Sequence, residues 1–145
     1  MLQRDAKLYM ALLKKTSPQA HRHLVKNKVE PLMFMTDWFL CGLTRTLPWV
    51  TLLRVWDCFL CEGIKIIFKV SLVIVGATLS SSKVRKNNKE LCDTLSLLRA
   101  PNEKIVDEEF IMNNIWRLNI TIEDFISEHK KIELLIRKTQ QQNLT

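Results

Sequence analysis

Glycine and proline are scarce, three and four in 145 residues. An all-β fold draws on both for its many turns, so the shortage argues against one. A long apolar run is also lacking. The longest uncharged apolar stretch, residues 70–79, is about half of the ~20 residues that a membrane-spanning helix needs, and Lys65 and Lys69 stand just upstream. The first ten residues, MLQRDAKLYM, are too polar for the apolar segment of a secretory signal. The sequence shows no phosphate-cradling glycine loop, no nucleophile beside a base and no acid/base carboxylate dyad. No repeat of fixed period runs along it, which disfavours a solenoid.

What is present is a globular composition, 47% apolar and 26% charged, at a length that fits one domain. The four cysteines (Cys41, Cys58, Cys61, Cys92), in a chain without a secretory signal, read as reduced and buried thiols, and the expected location is cytoplasmic. Cys58 and Cys61 form a C-x-x-C pair, but Cys41 and Cys92 make no second pair and the histidines are distant, so no metal and no cofactor is expected. His21 and His23 flank Arg22 and point to different faces of a helix, and both are expected at the surface. The formal charge of +7 permits a nucleic-acid or lipid partner. The basic residues are spread along the chain, however, and the reading preferred is a soluble protein with an acidic partner and no nucleic acid. The densest basic segment, Lys83, Arg85 and Lys86 with Lys89, is a candidate partner contact; it lacks the interleaved aromatics that stack on bases.

Periodicity and punctuation predict an all-α fold, an orthogonal bundle of about eight short helices. They cover residues 2–15, 18 to about 28, 32–47, 49–62, 64–79, 89–99, 107–118, and a last helix from Thr121. Pro18 and Pro48 suit helix starts, and Gly63 stands where a helix-ending glycine is expected. Residues 80–88 read as a polar loop. Thr121 and Asp124 space as a cap with an acidic third residue, after which Ile122, Phe125, Ile126, His129, Ile132 and Ile136 form one stripe. Residues 138–145 read as a polar, frayed tail. Arg54 and Asp57 lie three apart on one face of a very apolar helix, so each needs a partner, and that helix must abut a polar element.

The stretch from Glu30 to Val73 resembles the C-terminal half of a TBC domain, the domain of Rab GTPase-activating proteins. The residues that carry the likeness are Trp38-Phe39, Arg45 to Pro48, Arg54, Trp56-Asp57, and Glu62-Gly63. Ala11 to Pro18 and His21 to Leu24 upstream, and Leu98-Arg99 downstream, extend it towards the subfamily that interacts with PDZ scaffolds of microvilli. The resemblance implies an all-helical lobe spanning 1–137, a Rab-family GTPase as partner, and a membrane approached only through that Rab. It implies a mechanism in which an arginine finger and a glutamine, from Ile-x-x-Asp-x-x-Arg and Tyr-x-Gln motifs, act on the Rab nucleotide; arginine fingers contribute about 10³ to 10⁵ in rate. Neither motif occurs in this sequence: the sole tyrosine, Tyr9, precedes Met10-Ala11. Arg45 and Arg54 match structural positions of the family pattern, so no catalytic residue is assigned. The expectation is one lobe of a two-lobed domain, inactive alone. It should expose apolar surface, at its first two helices, for a missing N-terminal lobe. The alternative is a non-catalytic module that binds a Rab or a scaffold.

Overall fold

A computed structural model describes residues 2–142, all of whose regular structure is helical. Nine helices follow in order: α1 (Leu2–Thr16), α2 (Pro18–Lys26), α3 (Leu32–Leu40), α4 (Trp49–Glu62), α5 (Lys65–Thr78), α6 (Ser82–Asn87), α7 (Leu91–Arg99), α8 (Glu108–Arg117) and α9 (Ile122–Gln142). The all-α expectation holds, with one more helix among the described residues than the periodicity predicted.

The centre is α5, because its sequence is apolar on every side. Ten of its fourteen residues are buried, and it touches α1, α3, α4, α7 and α8. A helix buried on most of its surface needs partners within the protein for its few polar groups, and of these Thr78 Oγ1 has none among the described residues. Ser71 donates its hydroxyl to the Ile67 carbonyl at 2.6 Å, and the Tyr9 hydroxyl of α1 donates to the Ser71 carbonyl at 3.1 Å. Tyr9 also meets Phe34 edge-on, at 5.9 Å between centroids, which joins α1, α3 and α5 at one point.

Four helix boundaries show local chemistry at work. Gly63 takes φ +80° after α4, where only glycine is free of strain, and its N–H donates to the Phe59 carbonyl. At α9 the expected capping box is present: Asp124 accepts the Thr121 N–H at 2.8 Å while the Thr121 hydroxyl accepts the Asp124 N–H at 3.2 Å. The third expected helix, 32–47, stops early at Leu40. There Gly42 takes φ +55° and the Leu43 N–H reaches back to the Trp38 carbonyl at 2.9 Å, a Schellman stop that buries Leu43 at φ +65°. The same stop ends α2 without a glycine: Lys28 takes φ +55° while Val29, buried, donates to the Leu24 carbonyl.

Residues 80–88 are not simply a loop. They hold α6, which buries none of its residues and so carries no amphipathic signal. Its anchor is a side chain and not an apolar face: Arg85 Nη1 donates to the carbonyls of Leu79 and Ser80, just after α5. At the other end of the chain, α9 lies along α1, with Lys15 paired to Asp124 and Arg4 to Glu133. Ile132 is buried and Phe125 and Ile136 pack on the core, but Ile122 and Ile126 stay exposed, so the expected stripe is only partly covered. Residues 138–142, expected in a tail, are helical and exposed; the rest of that tail, Asn143 to Thr145, lies outside the described residues.

Candidate functional site

The molecule's most unusual surface is on α4. That helix has two apolar faces, and only one is used. Thr51, Leu52 and Val55 are buried, and Thr51 donates its hydroxyl to the Val106 carbonyl at 2.8 Å. On the opposite face Trp49, Leu53, Trp56 and Leu60 recur at the four–three–four spacing of a single helical stripe. All four are exposed, Trp49 at 69% and Leu60 at 80%. Val50, Ile64 and Leu40 extend the apolar surface, also exposed. Beneath the end of the stripe, Phe39, Leu40, Trp56, Phe59, Leu60 and Ile64 line an apolar cleft of about 480 Å³.

The expected apolar surface is therefore present but elsewhere than predicted. The first two helices do not provide it: Leu8, Tyr9, Leu12, Leu13, Ala20 and Leu24 are all buried against α5 and its neighbours. Their periodic residues face the core, whereas α4 has more apolar residues than its core-facing side can cover.

The family signature residues are brought together around this helix. Trp38 is buried and packs edge-on against Phe34 at 5.1 Å. Arg45 lies exposed in the turn that leads to Pro48, which caps α4. Trp56 donates its indole N–H to the Gly42 carbonyl at 2.9 Å, so its ring fastens the α3–α4 turn to α4. A Cβ on Gly42 would stand 3.4 Å from that indole nitrogen, and its positive φ also favours glycine. Arg54 finds a partner as expected, yet it is Glu108 of α8 at 3.2 Å rather than Asp57, which is exposed. Both partners are solvated, so the pair orients α8 on α4 and stabilises by less than about 1 kcal/mol. Glu62 pairs with Lys65 across the Gly63 turn, and that ammonium lowers its carboxyl below the usual range.

Nothing at this surface assembles a reaction centre. Cys58 is half-buried, and burial above all pushes its thiol up, the opposite of an activated nucleophile. The expectation of four buried thiols is corrected: Cys61 and Cys92 are exposed and Cys41 is half-buried. Outward-facing turns of their helices, not core positions, hold them. No group of three or more His, Cys, Asp or Glu that could hold a metal ion occurs among the described residues. No described helix is long and apolar enough to cross a membrane.

The expected basic contact is divided. Lys83 and Lys86 are exposed on α6, while Arg85 is half-buried against the end of α5. The histidine expectation fails at one position. His23 is buried, with its Nε2 3.2 Å from the Thr94 hydroxyl and 3.0 Å from the Asn27 amide. Its face of α2 turns towards α7, a tertiary fact that spacing alone does not carry. Asn27 at the i+4 position is the local signal that was missed.

A family model described as the Rab-GTPase-TBC domain matches residues 1–81. The chain is 60% identical, over 98% of its length, to TBC1 domain family member whacked of Drosophila melanogaster, of which it covers 40%. It is 42% identical over 88% of its length to TBC1 domain family member 10A of Mus musculus, covering 26% of that protein. To Carabin of Mus musculus it is 36% identical over 92% of its length, covering 30%. The chain thus spans well under half of these relatives. The family model covers more than half of the chain, and its matched stretch contains α4 with every signature residue: the chain belongs to the Rab-GTPase-TBC domain family.

Proposed function

We propose that this chain serves a Rab GTPase-activating protein as the C-terminal lobe of its TBC domain, residues 1–137, without supplying the arginine or glutamine finger. The partner is a Rab-family GTPase, and the subfamily is the one that interacts with PDZ scaffolds of microvilli. The observation that carries this reading is the second apolar face of α4. A self-sufficient domain would cover two exposed tryptophans and two leucines in one line, or replace them with polar residues. In a two-lobed domain they meet the lobe that bears the finger motifs. Among the signature residues Trp38, Arg45, Pro48, Arg54, Trp56, Asp57, Glu62 and Gly63, Pro48 and Gly63 then bound the docking helix, while Arg54 and Trp56 tie it to α8 and to the turn before it.

The test is reconstitution. A segment of a related protein that carries Ile-x-x-Asp-x-x-Arg and Tyr-x-Gln is coexpressed with this chain. Copurification, with GTP hydrolysis on a Rab that neither part gives alone, is the expected result. Trp49→Asp with Leu60→Asp should abolish both while the chain stays helical. Failure of the two parts to associate overturns the lobe reading.

The stripe also favours a second reading, a module that binds a Rab or a scaffold without accelerating hydrolysis, since exposed tryptophans at the centre of a patch are common anchors of binding. Pull-down with GTP-loaded Rabs, scored apart from hydrolysis, separates the two: retention of a Rab by the chain alone supports the binding module.

A further inference from the structure

A cleft of about 400 Å³ opens between α2 and α6, away from the α4 stripe. Arg22 and Lys26 stand on its α2 wall; Arg85, Lys86 and Lys89 stand on the wall formed by α6 and the segment after it. No acidic residue lines it. Among the described residues, none of these five cations is paired with a carboxylate. Five like charges around one small cavity give it a positive potential that favours entry of an anion.

The walls are fixed by hydrogen bonds. At the floor, the Asn27 amide donates to the Asn88 carbonyl at 3.2 Å, and the Thr94 hydroxyl donates to the same carbonyl at 3.3 Å. His23 completes that network, bonded to Thr94 and Asn27. On the α6 side, Arg85 is pinned through Nη1 to two carbonyls, which leaves its other guanidinium nitrogens free for a ligand. The floor already feels the charge: burial first, then Arg85 and Lys26, hold the His23 ring below its ordinary value.

We infer that this cleft binds a compact, multiply phosphorylated anion, an inositol polyphosphate or the same headgroup carried on a phosphoinositide lipid. The volume suits one small ligand. Arginine and lysine together give forked and point-charge contacts to several phosphate groups. No Phe, Tyr or Trp lines the cleft, and the one imidazole, His23, is buried at its floor and hydrogen-bonded, so a nucleic acid is the less favoured occupant. The inference is independent of any GTPase role, because neither the α4 stripe nor a finger motif takes part.

The test uses the whole chain and two probes. Inositol 1,4,5-trisphosphate is titrated calorimetrically, and vesicles with 5% phosphatidylinositol 4,5-bisphosphate are compared with phosphatidylserine vesicles of equal surface charge. Binding of the free trisphosphate assigns the site to the soluble anion. Binding only to the phosphoinositide vesicles assigns it to the lipid. Either supports the inference if Lys26→Glu with Lys86→Glu weakens binding at least tenfold, while Lys7→Glu with Lys104→Glu, an equal charge change outside the cleft, weakens it less than threefold. Equal loss in the two double variants would show a response to net charge alone and overturn the inference. So would failure of both probes to bind, or equal affinity for a DNA duplex that is lost through the same pair. All four lysines are exposed, and circular dichroism verifies that the variants stay folded.

Discussion

Lys28 holds a backbone conformation that glycine adopts freely and an L side chain does not. Its φ of +55° ends α2 and lets Val29 reach the core. Lys28→Gly should therefore raise stability by about 1 kcal/mol, relieved strain exceeding the added freedom of the unfolded chain. Denaturant melts would show this as a higher midpoint at unchanged slope. Asp124 makes a second prediction, about pH. The Lys15 ammonium first, then the Thr121 N–H and hydroxyl, lower its carboxyl from 3.8 to about 2. The unfolded chain takes up that proton first as pH falls. The stability that Asp124 contributes is thus whole above about pH 4 and lost between there and pH 2. Asp124→Asn should remove that part of the acid slope in urea titrations from pH 5 to 2.5. His23 acts at higher pH. Its ring is lowered, so below the ordinary histidine value the unfolded chain protonates before the folded one, and stability falls as pH drops through 6.5. His21 is lowered as well, by burial and Lys14, so His23→Gln should flatten the loss near pH 6 without removing it.

Among the helices, α4 and α5 explain what the sequence could and could not convey. The ends of α4 were legible because their signals are local: Pro48 before it, Gly63 with its positive φ after it. Its orientation was not legible. Both faces are apolar, and periodicity cannot say which of two apolar faces meets the core. The exposed surface expected on α1 and α2 is on α4 instead, since the core takes the apolar faces of the first two helices. For α5 the difficulty vanished, since a helix apolar on all sides can only be central. The short α6 left no pattern to read, because Arg85 and not an apolar face holds it. The exposed stripe carries its own prediction. At tens of micromolar the chain should self-associate through α4, and Trp49→Ser with Leu60→Ser should return it to a monomer in sedimentation runs. Stability should stay within about 0.5 kcal/mol, as neither side chain is part of the core.

For the whole molecule, one core joins α1, α3, α4, α7 and α8 around α5, and removal of volume there should be felt everywhere. Ile74, fully buried at its centre, should cost about 2–5 kcal/mol as Ile74→Ala. That is a large share of the 5–15 kcal/mol typical of folded domains, so a marginal lobe would unfold. On the proposed lobe reading, the outer apolar face of α4 is where a finger-bearing lobe docks, and the chain alone does not speed hydrolysis. The most direct test is single-turnover GTP hydrolysis across a panel of GTP-loaded Rabs, with the folded chain alone in excess. Rates within about twofold of each Rab's intrinsic rate are expected. Acceleration beyond about tenfold, some 1.4 kcal/mol of barrier, would contradict the lobe reading, because an arginine of this chain would then be acting as a finger.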